Sequence, residues 1–217
     1  MILSIIIPVY NEERTVIEIL NKIKNNSSSL FKYEIIVIDD GSTDQSKKLL
    51  ENNKHLFDKL LVNETNKGKG FSIKKGILHA SGTHIIFQDA DLEYDPADYK
   101  KFEKIFINFD ADGIVGSRFI YSDYSRSYNI LNKFGNIILT LVFNLLYNTT
   151  FTDIYSCYFA FKKELLDANE LRSEGFDQHA EILCKVIKKG NKFYEVPINY
   201  NGRNAAEGKK IKPRHFF

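Results

Sequence analysis

The sequence predicts an α/β fold built around one mainly parallel sheet. Short apolar or β-branched runs, typical of strands buried on both faces, alternate with segments whose apolar residues recur at helical spacing. Clusters of Asp, Asn, Gly or Ser stand between most strands and the helices after them, so turn chemistry marks the joints. Strands and helices alternating at this length imply right-handed crossovers, and hence parallel pairing.

Leu3 to Val9, which contains Pro8, is the first strand. Asn11 is placed to cap the next helix, Glu12 and Glu13 suit the positive end of its dipole, and Val16, Leu20 and Ile23 share one face. Glu34 to Ile38 is a second strand; Asp39-Asp40-Gly41-Ser42 turns the chain, and Ser42 or Thr43 caps a helix through Asn52. Leu56 to Val62 is a third strand, and the loop Asn66 to Gly70 opens a helix ending near Ala80. His84 to Phe87 is a fourth, stopped by Gln88-Asp89-Ala90-Asp91. Pro96 sits where a first helical turn tolerates it, and that helix runs to Asn108. Gly113 to Ser117 closes the regular half as a strand. Beyond it, Asn129 to Tyr147 reads as a helix that is apolar over much of its circumference. Tyr158 to Phe161 reads as strand, Asp177 to Lys188 as helix and Lys192 to Val196 as strand; the basic tail from Gly202 shows no clear element.

A chain of 217 residues suits one Rossmann-like domain spanning 1–217, with 121–217 elaborating the regular half at 1–120. A formal net charge of +2 is too mild for nucleic-acid binding through bulk electrostatics. The two cysteines, Cys157 and Cys184, lie far apart without metal-ligand spacing, which reads as free thiols in a reducing compartment. Met1 to Pro8 has no basic leader and no cleavage site, so it reads as a strand and not a signal peptide. No apolar stretch approaches the roughly 20 residues of a membrane span. The nearest, Ile137 to Tyr147, is interrupted by Asn144. A cytoplasmic protein is expected, with that segment available to touch a membrane surface.

In such sheets ligands lie beyond the carboxyl ends of the strands, where the acidic clusters fall. Asp89 and Asp91 offer hard oxygen ligands to one divalent ion, with Glu93 within reach. A polar turn leading to Asp95 and Pro96 is the plainer reading; the buried strand before it and the third carboxylate favour the metal. Asp40 is placed to accept hydrogen bonds from a nucleobase imide or ribose hydroxyl, while Ser42 and Asp44 suit turn and cap. Asn66-Lys67-Gly68-Lys69-Gly70 fails as a phosphate loop, because Asn63 stands where a glycine is needed and Gly70 where a hydroxyl is needed. No three glycines follow the first strand, which argues against a dinucleotide-binding oxidoreductase. Arg118 follows a strand on the same rim, whereas Arg126 and Lys133 read as solvated. The five histidines show no zinc spacing: His55, His79 and His84 read as structural or solvated, His179 lies at a helix start and His215 in the tail.

Pro8-Val9-Tyr10-Asn11-Glu12, Asp39-Asp40-Gly41-Ser42 and Asp89-Ala90-Asp91-Leu92, in register over residues 1–120, resemble glycosyltransferase family 2 of the GT-A fold. Gly116-Ser117-Arg118-Phe119, Glu195-Val196-Pro197-Ile198 and Asn201-Gly202-Arg203 look like its dolichyl- and polyprenyl-phosphate sugar synthase branch. The resemblance implies inverting transfer of a hexose from a UDP- or GDP-sugar, with Mn2+ or Mg2+. It implies that Pro8, Tyr10, Glu12 and Asp40 hold base and ribose, and that Asp89, Asp91 and Glu93 surround metal and diphosphate. Lys67 or Lys69 either lies near that donor or only starts a helix. Arg118 and Arg203 would face an acceptor phosphate or the donor diphosphate. A lipid phosphate acceptor is already ionised and needs no side-chain base; for a sugar hydroxyl acceptor, as in surface glycan synthesis, Asp177 is the nearest candidate. The chain departs from many members in ending at Phe217 without membrane helices, as a peripheral catalyst or a truncation would. A nucleotidyltransferase is the rival enzyme, though it would need a glycine- and basic-rich loop where Tyr10-Asn11-Glu12 stands. A binding subunit without turnover is the non-enzymatic rival, and the intact Asp89 and Asp91 argue against it.

Overall fold

The structure is a computed structural model that describes residues 1–26, 28–126, 130–175 and 177–203. The strands are β1 (Ile2–Val9), β2 (Lys32–Asp39), β3 (Lys59–Val62), β4 (His84–Phe87), β5 (Gly113–Ser117), β6 (Phe159–Lys162) and β7 (Phe193–Pro197). They form one sheet in the order β3-β2-β1-β4-β6-β5-β7. Strands from both halves of the sequence therefore share it. The helices are α1 (Val16–Asn25), α2 (Ser46–Asn52), α3 (Lys69–His79), α4 (Tyr99–Phe109), α5 (Ile130–Tyr147) and α6 (Gln178–Lys189).

Burial explains the continuous apolar strands. Ile5, Ile6 and Ile7 on β1 are all fully buried, as are Ile36, Val37 and Ile38 on β2 beside it, so neither face of this part of the sheet meets water. Val16, Ile19, Leu20 and Ile23 supply the buried face of α1, and Tyr99, Phe102 and Phe106 that of α4. On α3, a Cβ added at Gly76 would stand 2.5 Å from Ile6 and 2.9 Å from Ile38, so glycine permits the close approach of helix and sheet.

One strand runs against the rest. β6 is antiparallel to both β4 and β5, whereas the other pairings are parallel. Residues leading into β6 thus arrive at the edge where β4 and β5 end. Asp153, Cys157 and Tyr158 reach the ligand side of the sheet in this way.

Several helix starts differ from expectation. Asn11 does not cap α1; it adopts a left-handed φ of 51°, and its side-chain oxygen accepts from the Thr43 amide at 2.8 Å. The first loop is instead tied to the second: Ser42 and Ser46 hydroxyls accept from the Asn11 and Glu12 amides. Neither Ser42 nor Thr43 caps α2. Asp44 meets its first amide, at Ser46, at 2.9 Å. Pro96 opens a short 3-10 turn before α4, with Asp95 accepting from Ala97.

The opposite edge of the sheet carries an ionic staple. Glu34, at the start of β2, accepts from the Ser4 hydroxyl, from Lys59 Nζ at 2.8 Å, and from the Ser81 amide and hydroxyl. It joins β1, β2, β3 and the turn before β4.

α5 is the largest surprise. It is 18 residues long, enough by length and composition alone to cross a membrane, which corrects the expectation from residues 137–147. It is not a buried core helix. Its buried side chains are Asn136, Thr140 and Phe143, while Ile130, Leu131, Phe134, Leu141, Leu145 and Leu146 are exposed.

Candidate active site

The parallel strands bring the expected residues to one rim. Pro8, Tyr10 and Glu12 lie at the end of β1, Asp40 after β2, Asp89 and Asp91 after β4, and Arg118 after β5; Arg203 follows β7. Gln88 fixes the turn after β4: its side-chain oxygen accepts from Tyr99 and Tyr158 hydroxyls, both at 2.6 Å, and its amide donates to the Asp89 carbonyl.

Lys69, in the first turn of α3, reaches Asp89 at 2.5 Å. Burial opposes charge on both groups, but each holds the other ionised: the Asp89 carboxyl is lowered and the Lys69 ammonium raised. Asp91 meets the opposite fate. Burial first, then the charges of Asp89 and Glu93, push its carboxyl up to about 7, against the pull of Arg203.

Arg203 sits among carboxylates. Its guanidinium donates to both Glu12 oxygens, at 3.1 and 3.2 Å, and to Asp91 at 3.0 Å. Its backbone amide donates to Glu93, whose other oxygen accepts from the Tyr200 hydroxyl at 2.8 Å. Glu93 therefore holds the segment after β7 against the rim. Among the described residues no group of three His, Cys, Asp or Glu side chains is arranged to hold a metal. Asp89 and Asp91 are a pair of hard-oxygen ligands of the kind that suits a divalent ion such as Mn2+ or Mg2+, which would take the place now held by the Lys69 and Arg203 cations. Glu93 is turned to other work.

The acidic turn after β2 divides its labour. Asp40 accepts from the Asn63 side chain at 2.7 Å and from the Lys67 and Gly68 amides at 3.0 and 2.9 Å. It thereby shapes the 66–68 loop, where Gly68 has a φ of +96° and a Cβ would lie 2.4 Å from the Glu174 carbonyl. Asp39 is fully buried, and neither side-chain oxygen completes a hydrogen bond among the described residues. Burial raises its pKa, with Ser42 pulling the other way. Asp39, with Ser42 as its one nearby donor among the described residues, is thus the less engaged carboxylate of the pair.

Arg118 forms a two-pronged pair with Asp153, Nε at 2.7 Å and a terminal nitrogen at 2.9 Å, and its carbon lies 5.1 Å from the Tyr200 ring centre. Asp153 is fully buried and also accepts from Asn136 of α5 at 2.7 Å. Burial works against both charges, yet the pair lowers the Asp153 carboxyl and raises Arg118. Arg126, read as solvated, donates to the Gly202 carbonyl, and Lys133 is exposed with its ammonium 5.3 Å from the Phe119 ring.

At the start of α6, Asp177 is exposed and makes no side-chain cap bond. His179 behind it is buried, and burial first, then Lys69, holds its imidazole down to about 4, hence neutral. His84 is structural, packed edge-on to Phe31 and Phe106. Of the free cysteines, Cys157 is buried, where Asp89 raises its thiol beyond the effect of burial, and Cys184 is half-buried. His215 lies outside the described residues.

The sequence profile of glycosyl transferase family 2 matches residues 4–169. The chain belongs to glycosyl transferase family 2. Over its whole length it is 30% identical to a dolichol-phosphate mannosyltransferase of Pyrococcus furiosus, covering 61% of that protein. Over 95% of its length it is 28% identical to an undecaprenyl-phosphate 4-deoxy-4-formamido-L-arabinose transferase of Salmonella choleraesuis, covering 62% of it. The chain thus spans about three fifths of each of these relatives. Among solved structures, the glucosyl-3-phosphoglycerate synthase of Mycobacterium tuberculosis, in complex with Mn2+, UDP and glucosyl-3-phosphoglycerate, superposes with a TM-score of 0.71. Identity is 18%, covering 94% of this chain and 74% of that one. The fold is GT-A, as expected of a family 2 glycosyltransferase.

Two site residues escaped the sequence reading. Asp39 adjoins Asp40 in one turn, and no local pattern separates the more engaged carboxylate from the less engaged one. Asp153 lies in Thr152-Asp153-Ile154, with no motif around it; only the reversal of β6 brings it to Arg118.

Proposed function

We propose that this family 2 glycosyltransferase transfers a hexose, with inversion, from a UDP- or GDP-sugar to a polyprenyl (dolichyl) phosphate at the cytoplasmic face of a membrane. The carrying observation is the inverted polarity of α5. Its polar stripe faces inward: Asn136 bonds Asp153, Thr140 donates to Asn136 at 3.0 Å, and Asn144 bonds Phe151 and Thr149. Apart from Phe143, which is buried, and Tyr147, which packs on the core, most of its apolar residues are left outward, as a helix lying in a lipid interface would have them. Through Asn136 and Asp153 that helix is hydrogen-bonded to Arg118, so the proposed lipid-facing element adjoins the proposed phosphate-binding guanidinium. The names of the Pyrococcus and Salmonella relatives, both acting on lipid-linked phosphates, support the same reading.

On this reading residues 1–217 act as one domain. Asp39 receives the donor's base or ribose beside Pro8, Tyr10 and Glu12, and Asp40 shapes the loop that encloses it. Lys69 lies beside the diphosphate. Asp89 and Asp91 would hold Mn2+ or Mg2+, which would supply charge neutralisation for the departing nucleotide diphosphate. Arg118, with Arg203 once freed from its carboxylates, orients the acceptor phosphate, which attacks as an anion.

A sugar hydroxyl acceptor would need a base, and Asp177 is the exposed carboxylate placed for it. The two readings separate on a pair of variants assayed with short-chain polyprenyl phosphate. Asp177→Asn is expected to keep most of its activity and Arg118→Ala to lose about 100-fold or more, as removal of a charged phosphate contact does. An inactive Asp177→Asn would replace the lipid acceptor with a hydroxyl.

A further inference from the structure

We infer that Glu195 of β7 is a positioning residue for the acceptor, holding the Arg118 guanidinium in place through Asp153. The inference rests on the proposed lipid-phosphate acceptor and deepens it.

β7 is an edge strand, and Glu195 stands on it in register with Val115 of β5, close to the strand end at Ser117. Its carboxylate reaches across to the chain between α5 and β6. One oxygen accepts from the Thr152 amide at 2.8 Å and from the Asp153 amide at 3.1 Å; the other also meets the Thr152 amide at 3.1 Å. Such charge-assisted bonds are about twice as strong as neutral ones. Two consecutive amides held by one carboxylate fix the peptide between them.

That peptide carries the Asp153 carboxylate. Asp153 accepts from the Arg118 amide at 3.1 Å, from Arg118 Nε at 2.7 Å, from a terminal Arg118 nitrogen at 2.9 Å and from Asn136 at 2.7 Å. Its side chain is fully buried, whereas 17% of the Arg118 side chain stays accessible, so a phosphate can reach the guanidinium but not the carboxylate behind it. A two-pronged pair transmits position: if the Asp153 backbone shifts, the guanidinium follows it or loses one of the two bonds. The same segment is tied to the end of β5 by Thr152 Oγ1 and Ser117 Oγ, 2.6 Å apart. Glu195 therefore closes a ring of contacts that runs from β7 through residues 152–153 to Arg118. A group displaced by about 1 Å from its productive place can cost roughly 100-fold in rate, so a support of this kind reaches the chemistry without touching the substrate.

A purely structural role, satisfying two amides, is the competing account, and it predicts lost stability with no preference between substrates. The test uses the full chain with Mn2+, short-chain polyprenyl phosphate and the UDP- or GDP-hexose that the wild type turns over. Glu195→Ala is expected to lower kcat/KM for the lipid phosphate by about tenfold, mostly through KM, and to leave KM for the sugar nucleotide unchanged. Glu195→Gln is expected to recover most of that loss. A single oxygen takes both amides, and burial, with Asp153 nearby, already raises the Glu195 carboxyl against their pull. In an Arg118→Ala background, Glu195→Ala is expected to add no further loss, because it acts through that guanidinium. An unchanged kcat/KM for the lipid phosphate, equal falls for donor and acceptor, or a full additional loss in the Arg118→Ala background would overturn the inference and leave the acceptor reading standing. A wild type that passes no sugar to the lipid phosphate would overturn both. Should Glu195→Ala not fold, Glu195→Asp, which keeps the charge but falls one methylene short of the amides, decides on the same readouts.

Discussion

Arg203 occupies, as a tethered cation, the ground between Glu12 and Asp91. On the proposed metal site, a divalent ion at Asp91 would compete with that guanidinium, so removing the guanidinium is expected to have opposite effects on binding and turnover. Arg203→Gln is expected to tighten Mn2+ binding in the absence of donor by about 3–10-fold, because a charged contact of 1.5–3 kcal/mol no longer has to be broken in full. Transfer should fall at the same time. Titration of free Mn2+ by paramagnetic resonance checks it, and unchanged affinity would mean that Arg203 does not guard the carboxylates. For Asp39, Asp39→Asn is expected to weaken UDP or GDP binding by about tenfold or more, the worth of a charged hydrogen bond. Calorimetry showing full affinity would return the role to Asp40. These two carboxylates mark where local reading ended. That an acidic pair stands at a strand end was legible; that Asn63, Lys67 and Gly68 claim one of the pair was not, since they lie 23 to 28 residues away.

At the scale of the element, α5 decides between a protein that meets its acceptor in solution and one that meets it at an interface. Its outward face exposes Leu141 at 57% and Leu145 at 76%, and neither packs on the core. Leu141→Glu together with Leu145→Glu is expected to abolish sedimentation with anionic phospholipid vesicles while the melting temperature stays within a few degrees, as for exposed substitutions. Vesicle binding that survives both changes would remove α5 from the membrane. Composition showed this helix to be apolar over much of its circumference, but not its orientation. The side it buries carries Asn136 and Thr140 beside Phe143, with half-buried Asn144 at its margin, because the three polar side chains have specific partners on residues 149–154. The starts of α1 and α2 were missed for a related reason: Asn11, Ser42 and Ser46 spend their capping chemistry on tying two loops together.

Over the whole molecule, the parallel strand–helix half was legible because each buried strand declares itself as an apolar run. The place of β6 was not, since nothing within Phe159–Lys162 encodes its direction or its neighbours. The Glu34 staple was equally hidden, its partners coming from three other segments. Burial alone would raise the Glu34 carboxyl, but Lys59, Ser4 and Ser81 outweigh it and hold it at about 2. A depressed folded pKa gives stability that is present above the unfolded value, near 4.5, and lost as pH falls towards about 2. Glu34→Gln is therefore expected to cost about 1–2 kcal/mol at pH 6, discounted for partial solvent access, and almost nothing at pH 2. Urea titrations at the two pH values check it; an equal loss at both would leave the staple without an ionic part.

The proposed function turns on where the sugar goes. The direct measurement incubates the chain with radiolabelled UDP- and GDP-hexoses, Mn2+ and vesicles containing short-chain polyprenyl phosphate, then follows label into the organic phase. Label in a lipid-linked sugar phosphate, lost with excess chelator and in Asp91→Ala, is the predicted result. Label that stays in water with the lipid, yet passes to a soluble sugar hydroxyl, would contradict it.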